Sequence, residues 1–328
     1  FQAILHHCPT GANAFIMRII RDYQYVEPSD TNAVAAIGNF DGVHLGHQAV
    51  LKKVHSIAKN LSAPVGVVTF EPHPRSYFAP HAPAFRLMSP AAKATRLEKL
   101  GVEKLYELNF NAKISKLNPE EFARKVLSDG LKLKHVLVGQ DFCFGRDRKG
   151  NVQILKDLGV NLGFGVTTLE LIKGDHGELS STSIRQLLSD GKPKEAASQL
   201  GHWHRIEGPI IGGEQRGRIL GYPTANMELH ELHLPKLGVY AVLIDILDGP
   251  YKGSYKGAAS IGVRPMFGKN TPNLETYIFD FSGDIYGAQV SIALVEYLRP
   301  ELSFDTVDIL VKQMASDCEK AKEILCKT

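Results

Sequence analysis

The texture of the chain changes sharply near Trp203. Before that point, short apolar runs alternate with helical patterns. Residues 33–37 (AVAAI), 64–70 (PVGVVTF), 104–108 and 135–138 (HVLV) read as strands. Residues 48–58, 91–100, 152–158 and a segment from Pro119 to about Ser128 read as helices, with Pro119 suited to a first helical turn. Such alternation builds βαβ units, and therefore a parallel sheet. After Trp203 glycine becomes frequent and short β-rich runs appear at 238–246, 257–262, 276–281 and 288–298. Turn signals such as Asp248-Gly249-Pro250 and Ser282-Gly283-Asp284 separate them, which points to a small barrel or sandwich. Residues 304–325 return to helical spacing, with Val307, Leu310, Val311, Met314, Cys318, Ala321 and Leu325 on one stripe that should pack on the β-rich part. A length of 328 residues suits two domains, and we expect them at 17–201 and 202–328.

A net charge of +3, spread along the chain, argues against a nucleic-acid coat, although a local basic pocket for phosphate is compatible with it. Cys8, Cys143, Cys318 and Cys326 form no C-x-x-C pair, so neither a zinc site nor a disulfide framework is expected, and a reducing cytoplasm fits best. No apolar run approaches the roughly 20 residues that span a bilayer. Residues 1–16 lack the basic start and apolar centre of a signal peptide and read as an extension outside the fold.

The sharpest motif is Ile37-Gly38-Asn39-Phe40-Asp41-Gly42-Val43-His44-Leu45-Gly46-His47, which follows an expected strand and opens an expected helix. Ligands of α/β sheets bind there, outside the carboxyl ends of strands. Glycines let the backbone approach phosphates, and a helix N-terminus offers free N–H groups. His44 and His47, three apart, can face one side of the first turn and donate to a phosphate whose charge grows in a transition state. The rigid loop Phe70-Glu71-Pro72-His73-Pro74-Arg75 ends the next strand. Asp141, in Val138-Gly139-Gln140-Asp141-Phe142-Cys143-Phe144-Gly145, could accept from a ribose or an adenine amine. Leu179-Ser180-Ser181-Thr182-Ser183-Ile184-Arg185 reads as a helix start. Its hydroxyls are either plain N-caps or, with Arg185, an anion site; beside the histidine motif the anion reading prevails.

Beyond Trp203, residues 213–226 run Gly-Glu-Gln-Arg-Gly-Arg-Ile-Leu-Gly-Tyr-Pro-Thr-Ala-Asn. Arg218-Ile219 stands where a Walker A loop needs Lys-Ser/Thr, so a P-loop is rejected. Thr224 and Asn226 alternate about a small residue, which would put two hard oxygen donors on one side of an extended segment. Glu275 opens an expected strand and is suited to accept a proton from an attacking hydroxyl beside a metal-held phosphate. His230-Glu231-Leu232-His233 lacks the spacing of H-E-x-x-H and reads as a solvated face, and His202-Trp203-His204 reads as packing at the linker.

These segments, in this order, resemble the bacterial-type bifunctional riboflavin kinase/FAD synthetase family. The likeness rests on G-x-F-D-G-x-H-x-G-H, F-x-P-H-P, V-G-x-D-F-x-F-G and S-S-T-x-I-R in the first half. In the second it rests on G-R-x-x-G-x-P-T-A-N, P-x-x-G-V-Y-A-V, I-G-x-R-P, E-x-x-x-x-D-F-x-x-D-x-Y-G and L-R-x-E-x-x-F, and it runs from about Met17 to the C-terminus. It implies a Rossmann-like nucleotidyltransferase domain with helices on both sheet faces. It also implies a six-stranded Greek-key-type β-barrel followed by a helix. It implies that riboflavin and ATP give FMN, that FMN and a second ATP give FAD and pyrophosphate, and that Mg²⁺ serves both steps.

By the same resemblance His44 and His47 would stabilise the α-phosphate transition state. Gly38, Phe40, Asp41, Gly46 and Asp141 would line the ATP site, and Ser181, Thr182 and Arg185 would hold the β- and γ-phosphates. In the second half Gly217 and Arg218 would contact ATP, Thr224 and Asn226 would bind Mg²⁺–ATP, Glu275 would be the base, and Asp284, Tyr286 and Arg299 would lie on the flavin side. A cytoplasmic monomer or weak homo-oligomer without nucleic-acid or membrane partners is expected. A flavin-binding module without turnover is the competing reading, and Glu275 beside Thr224 and Asn226 argues against it, because a pure binder needs no base.

Overall fold

The apolar run near residue 35 becomes β2 (Val34–Ile37), whose four residues are all buried. It lies within a six-stranded sheet with β1 (Arg18–Ile20), β3 (Val65–Glu71), β4 (Lys104–Asn109), β5 (His135–Gly139) and β6 (Gly165–Leu169). The order is β1-β4-β3-β2-β5-β6 and every pairing is parallel. Strands covered on both faces carry continuous Val, Ala and Leu runs rather than alternation, which is why the central ones were legible. The chain steps from β2 to β3 and β4 in one direction and then returns to β5 and β6, so the topological switch point lies between β2 and β5.

In this computed structural model residues 16–170, 173–174, 177–213, 217, 220–266 and 269–328 are described, of which 173–174, 177–178, 264–266 and 269–271 only as backbone. Two compact units result. The parallel sheet belongs to the unit made of residues up to Asn39, Leu51–Pro74 and Leu97–Leu169. Phe40–Val50, Arg75–Arg96 and Glu170–Thr328 make up the other.

The helices of the first half are α1 (Leu45–Leu61), α2 (Pro74–Phe78), α3 (Pro90–Lys99), α4 (Ala112–Ser115), α5 (Pro119–Phe122) and α6 (Val152–Leu162). Pro119 does occupy a first turn, under an Asn118–Glu121 capping box. The helix expected to reach Ser128 keeps α geometry only to Phe122. Residues Ala123–Gly130 continue it with the wider π winding, and Leu131 N–H bonds back to Val126. Ile37, Val68, Tyr106, Leu108, Phe122 and Val136 belong to the core of this unit.

The second unit carries a short antiparallel pair, β7 (Lys173–Gly174) and β8 (Gly177–Glu178), then helices α7 (Ser181–Ser189) and α8 (Pro193–Leu200). Six antiparallel strands follow: β9 (Arg205–Pro209), β10 (Thr224–Glu228), β11 (Gly238–Ile246), β12 (Gly253–Met266), β13 (Lys269–Ile278) and β14 (Gln289–Arg299). Their order is β10-β13-β12-β11-β14-β9. The meander β11-β12-β13 with β14 returning beside β11 is a Greek key. Ile211 N–H donates to Asn226 O at 2.9 Å, which brings the two ends of the sheet together in a nearly closed barrel.

Along β11 the pleat divides the side chains: Tyr240, Val242 and Ile244 fill the barrel. Val239 and Ala241 face Cys318, Ala321 and Leu325 of α9 (Val307–Leu325). That helix starts three residues later than expected, because Thr306 caps it by accepting from Ile309 N–H.

Candidate active sites

The loop after β2 is held in an uncommon backbone shape. Phe40 (φ 52°), Gly42 (φ 82°) and Val43 (φ 43°) all lie in the left-handed region. For a β-branched residue such as Val43 this costs on the order of 1–3 kcal/mol and persists only where the surroundings over-determine it. They do so here. Leu87 N–H donates to Asp41 Oδ1 (2.8 Å), Ser181 Oγ donates to Asp41 O (2.9 Å), and Gln48 Nε2 donates to Val43 O (3.0 Å). His202 Nε2 donates to Gly42 O at 3.0 Å. The linker histidine thus fastens the very loop that opens α1.

His44 and His47 do face one side. Their rings stack with centroids 3.7 Å apart, and Phe40 stacks on His47 at 4.7 Å. Burial lowers His44 to about 4. His47 is pushed well below its ordinary value, first by burial and then by the charges of His44 and Lys93. Two stacked cations in a dry site would repel, so at neutral pH both rings are neutral and each keeps one N–H to donate. Nδ1 of both rings is buried and meets no hydrogen-bond partner among the described residues. Gly46 leaves room for this pair, since a Cβ there would sit 3.0 Å from the His44 ring.

Asp41 was expected on the nucleotide, yet its buried carboxylate is already engaged, by Leu87 N–H and by Arg185 Nη2 at 2.6 Å. Arg185, expected on phosphate, also donates Nε to Phe85 O at 2.6 Å, with Phe85 5.4 Å beneath its guanidinium. The helix start expected within residues 179–185 falls at Ser181, and Ser180 is its N-cap, accepting from Ser183 N–H. Thr182 is exposed on its first turn. In the sheet unit, Gly38 follows β2 and Gly139 ends the neighbouring β5, with Asp141 in the turn beyond; a Cβ on Gly139 would meet Asp141 Oδ1 at 2.9 Å. Gly38 N–H donates to Val68 O.

In the barrel, Asn226 of β10 stands directly opposite Glu275 of β13, and Thr224 opposite Tyr277. The period of two puts Thr224, Asn226 and Glu275 on one face, while Ala225, Met227 and Leu274 enter the core. The expected extended Thr-Ala-Asn segment is therefore a true strand. Asn226 Nδ2 donates to Thr224 O at 3.3 Å, and its Oδ1 accepts from Asn273 Nδ2 at 3.3 Å. Gly213 packs against this amide, and a Cβ there would come within 2.7 Å of Asn226 Cγ. Gly217 closes a turn by accepting from Leu220 and Tyr222 N–H, and a Cβ on it would lie 3.6 Å from Thr224 Oγ1. Arg218 lies outside the described residues.

Of the expected flavin-side residues, Asp284 accepts from Tyr286 N–H in an exposed turn. Arg299 pairs with α9: its Nε and Nη2 grip the Asp317 carboxylate at 3.0 and 2.7 Å. No sequence signal marked Asp317 or Asn273. His233, set aside as a metal ligand, lies 3.0 Å from Arg185 O and 3.1 Å from Ser189 Oγ.

Two family models match successive stretches of the chain. The FAD synthetase family model matches residues 26–183 and the riboflavin kinase family model residues 200–325. The chain is 38% identical to a bifunctional riboflavin kinase/FMN adenylyltransferase of Pseudomonas fluorescens, over 94% of this chain and 98% of that protein. It is 36% identical to the same-named protein of Listeria monocytogenes, over 92% and 95%. A crystal structure titled as a macrolide-efflux protein from Streptococcus pneumoniae superposes with a TM-score of 0.79 at 32% identity, covering 92% of this chain and 97% of that one. Among the described residues of the present chain, no helix is long and apolar enough to cross a membrane. With two matching family models in tandem and relatives aligned over nearly their whole length, the chain belongs to the bifunctional riboflavin kinase/FMN adenylyltransferase family.

Proposed function

We propose that this chain makes FAD by two successive transfers from ATP, each governed by its own group of residues. As a riboflavin kinase it transfers the γ-phosphoryl group of ATP to the riboflavin 5′-hydroxyl, giving FMN and ADP. As an FMN adenylyltransferase it joins the FMN phosphate to the α-phosphorus of a second ATP and releases pyrophosphate. Residues 17–201 carry the second reaction and 202–328 the first.

For phosphorylation, Glu275 takes the proton of the 5′-hydroxyl as that oxygen attacks. Thr224 and Asn226 hold Mg²⁺–ATP; hydroxyl and amide oxygens on one face beside a carboxylate are the hard donor set that suits this ion. Bound Mg²⁺ would offset charge on the transferring phosphates. Gly217 and Arg218 line the nucleotide, and Asp284, Tyr286 and Arg299 the flavin side, where Asp317 fixes the direction of the Arg299 guanidinium.

For adenylyl transfer, neutral His44 and His47 each donate an N–H to the α-phosphate as its charge grows, and a strained loop holds both in place beforehand. Ser181, Thr182 and the start of α7 receive the β- and γ-phosphates. Arg185 supports that region partly through Asp41. Gly38, Phe40 and Gly46 let the nucleotide approach the backbone, and Asp141 accepts from the ribose or adenine. A cytoplasmic monomer or weak homo-oligomer, with free cysteines at 143, 318 and 326, completes the reading.

The observation that carries it is the direct opposition of Asn226 and Glu275 across β10 and β13. Product chromatography with riboflavin, ATP and Mg²⁺ tests it. Glu275→Gln should abolish FMN formation and spare conversion of supplied FMN to FAD, and His44→Ala with His47→Ala should do the reverse. If neither pattern appears, the assignment of roles is wrong.

A further inference from the structure

Asn273 lies two residues before Glu275 on β13, on the same face, and belongs to none of the motifs that mark the barrel. Its side chain is buried, with 9% of the residue exposed. The register sets it between Glu228 of β10 and Gly262 of β12. From there its Nδ2 reaches two oxygens, Asn226 Oδ1 and Glu275 Oε1, each at 3.3 Å. A primary amide carries two N–H groups on one nitrogen, so both bonds can form at once. The opposite amide orientation would turn a carbonyl oxygen toward two other oxygens, and is excluded.

The arrangement has a purpose that strand formation does not require, since an asparagine is a poor strand former and a buried amide must find partners. Its partners here are the two groups whose separation matters most for phosphoryl transfer. Asn226 is tied from both ends, by Asn273 at Oδ1 and through its own Nδ2 to Thr224 O. Among the described residues Asn226 Oδ1 accepts from Asn273, and its second lone pair is the one assigned to the proposed cation.

We propose that Asn273 is a positioning residue of the kinase reaction, a buried amide that sets the spacing of the metal-binding oxygen of Asn226 and the proton-accepting carboxylate of Glu275. This rests on the roles given above to Asn226 and Glu275. Asn273 acts through those two side chains.

The test compares Asn273→Leu, which keeps the approximate shape without the donor, with Asn273→Ser, which restores one hydroxyl donor, and with Glu275→Gln. Riboflavin phosphorylation and conversion of FMN to FAD are assayed separately in the full chain, with Mg²⁺ titrated and the melting temperature recorded. We expect Asn273→Leu to lower the kinase kcat about tenfold to a hundredfold and to raise the Mg²⁺ concentration for half-maximal rate severalfold. The KM for riboflavin and the FMN-to-FAD rate should stay within about threefold. Asn273→Ser should recover part of the loss. A kinase kcat within twofold of the parent, or a loss that only follows the unfolded fraction with an unchanged Mg²⁺ requirement, overturns the proposal. If Glu275→Gln itself remains an active kinase, the underlying assignment of the base fails instead, whatever Asn273→Leu does.

Discussion

Asp41 and Arg185, 144 positions apart, are joined by an ion pair at 2.6 Å in which each partner is also held by a backbone group, Leu87 N–H on the carboxylate and Phe85 O on the guanidinium. The F-D-G loop and the S-S-T-x-I-R helix are therefore one assembly.

Breaking that pair from one side should be costly. Asp41→Asn keeps the shape but leaves the Arg185 charge, with only 17% of its side chain exposed, without its counter-ion. Partial exposure moderates the usual penalty, so we expect a stability loss of about 2–3 kcal/mol. FAD formation from FMN should fall at least tenfold, with riboflavin phosphorylation retained. Denaturant unfolding together with the two separate assays checks this. Arg185→Lys, which keeps the charge and loses the fork, should fall between the two.

Stability should depend on pH through the buried histidines. His44 titrates near 4 in the fold and near 6.5 when unfolded, so between these values the unfolded chain binds more protons. Stability is accordingly full above pH 6.5 and is lost as pH falls toward 4, by roughly 3 kcal/mol for this residue. His204, buried and lowered to about 3 mainly by burial, acts in the same direction. Urea midpoints measured from pH 7.5 to 4.5 should decline, and His44→Asn should flatten the decline.

Gly213→Ala should act on one reaction alone. The added methyl would collide with the Asn226 side chain, so this amide must turn away from its place beside Glu275. We expect at least a tenfold drop in riboflavin phosphorylation with FMN-to-FAD conversion unchanged, read by chromatography of products.

The grip of Arg299 on Asp317 ties the end of β14 to α9. Asp317→Asn should cost about 2 kcal/mol in unfolding experiments, because a largely buried guanidinium loses its counter-ion. If Arg299 serves the flavin side, the riboflavin KM should rise as well.

Legibility in the sequence followed burial and local contact. β2, β3 and β5 were readable because each carries a run of buried apolar residues, Val34–Ile37, Val65–Val68 and Val136–Val138. The edge strands were not: β1 has three residues, and β6 (GVTTL) is half-exposed along its length. The histidine pair was readable since three-residue spacing on a first helical turn is a local fact. Asp41 as the partner of Arg185, Asp317 as that of Arg299, and the attachment of His202 to Gly42 were not, because each joins residues that only tertiary folding brings together. Asn273 was missed for another reason: a lone asparagine in a strand resembles no motif, and its meaning comes from the register that places it across from β10.

That register has a mechanical corollary. Asn226 accepts the hydrogen bond from Ile211 that draws the barrel's two ends together, and the same residue offers the oxygen proposed for the cation. Among the described residues an isolated bridge, Ile211 to Asn226, joins those two ends, and the cation site proposed above lies on it. A bound nucleotide would act as a clasp across that bridge, stiffening strands it never touches, so its effect on heat resistance should exceed what its own footprint would suggest.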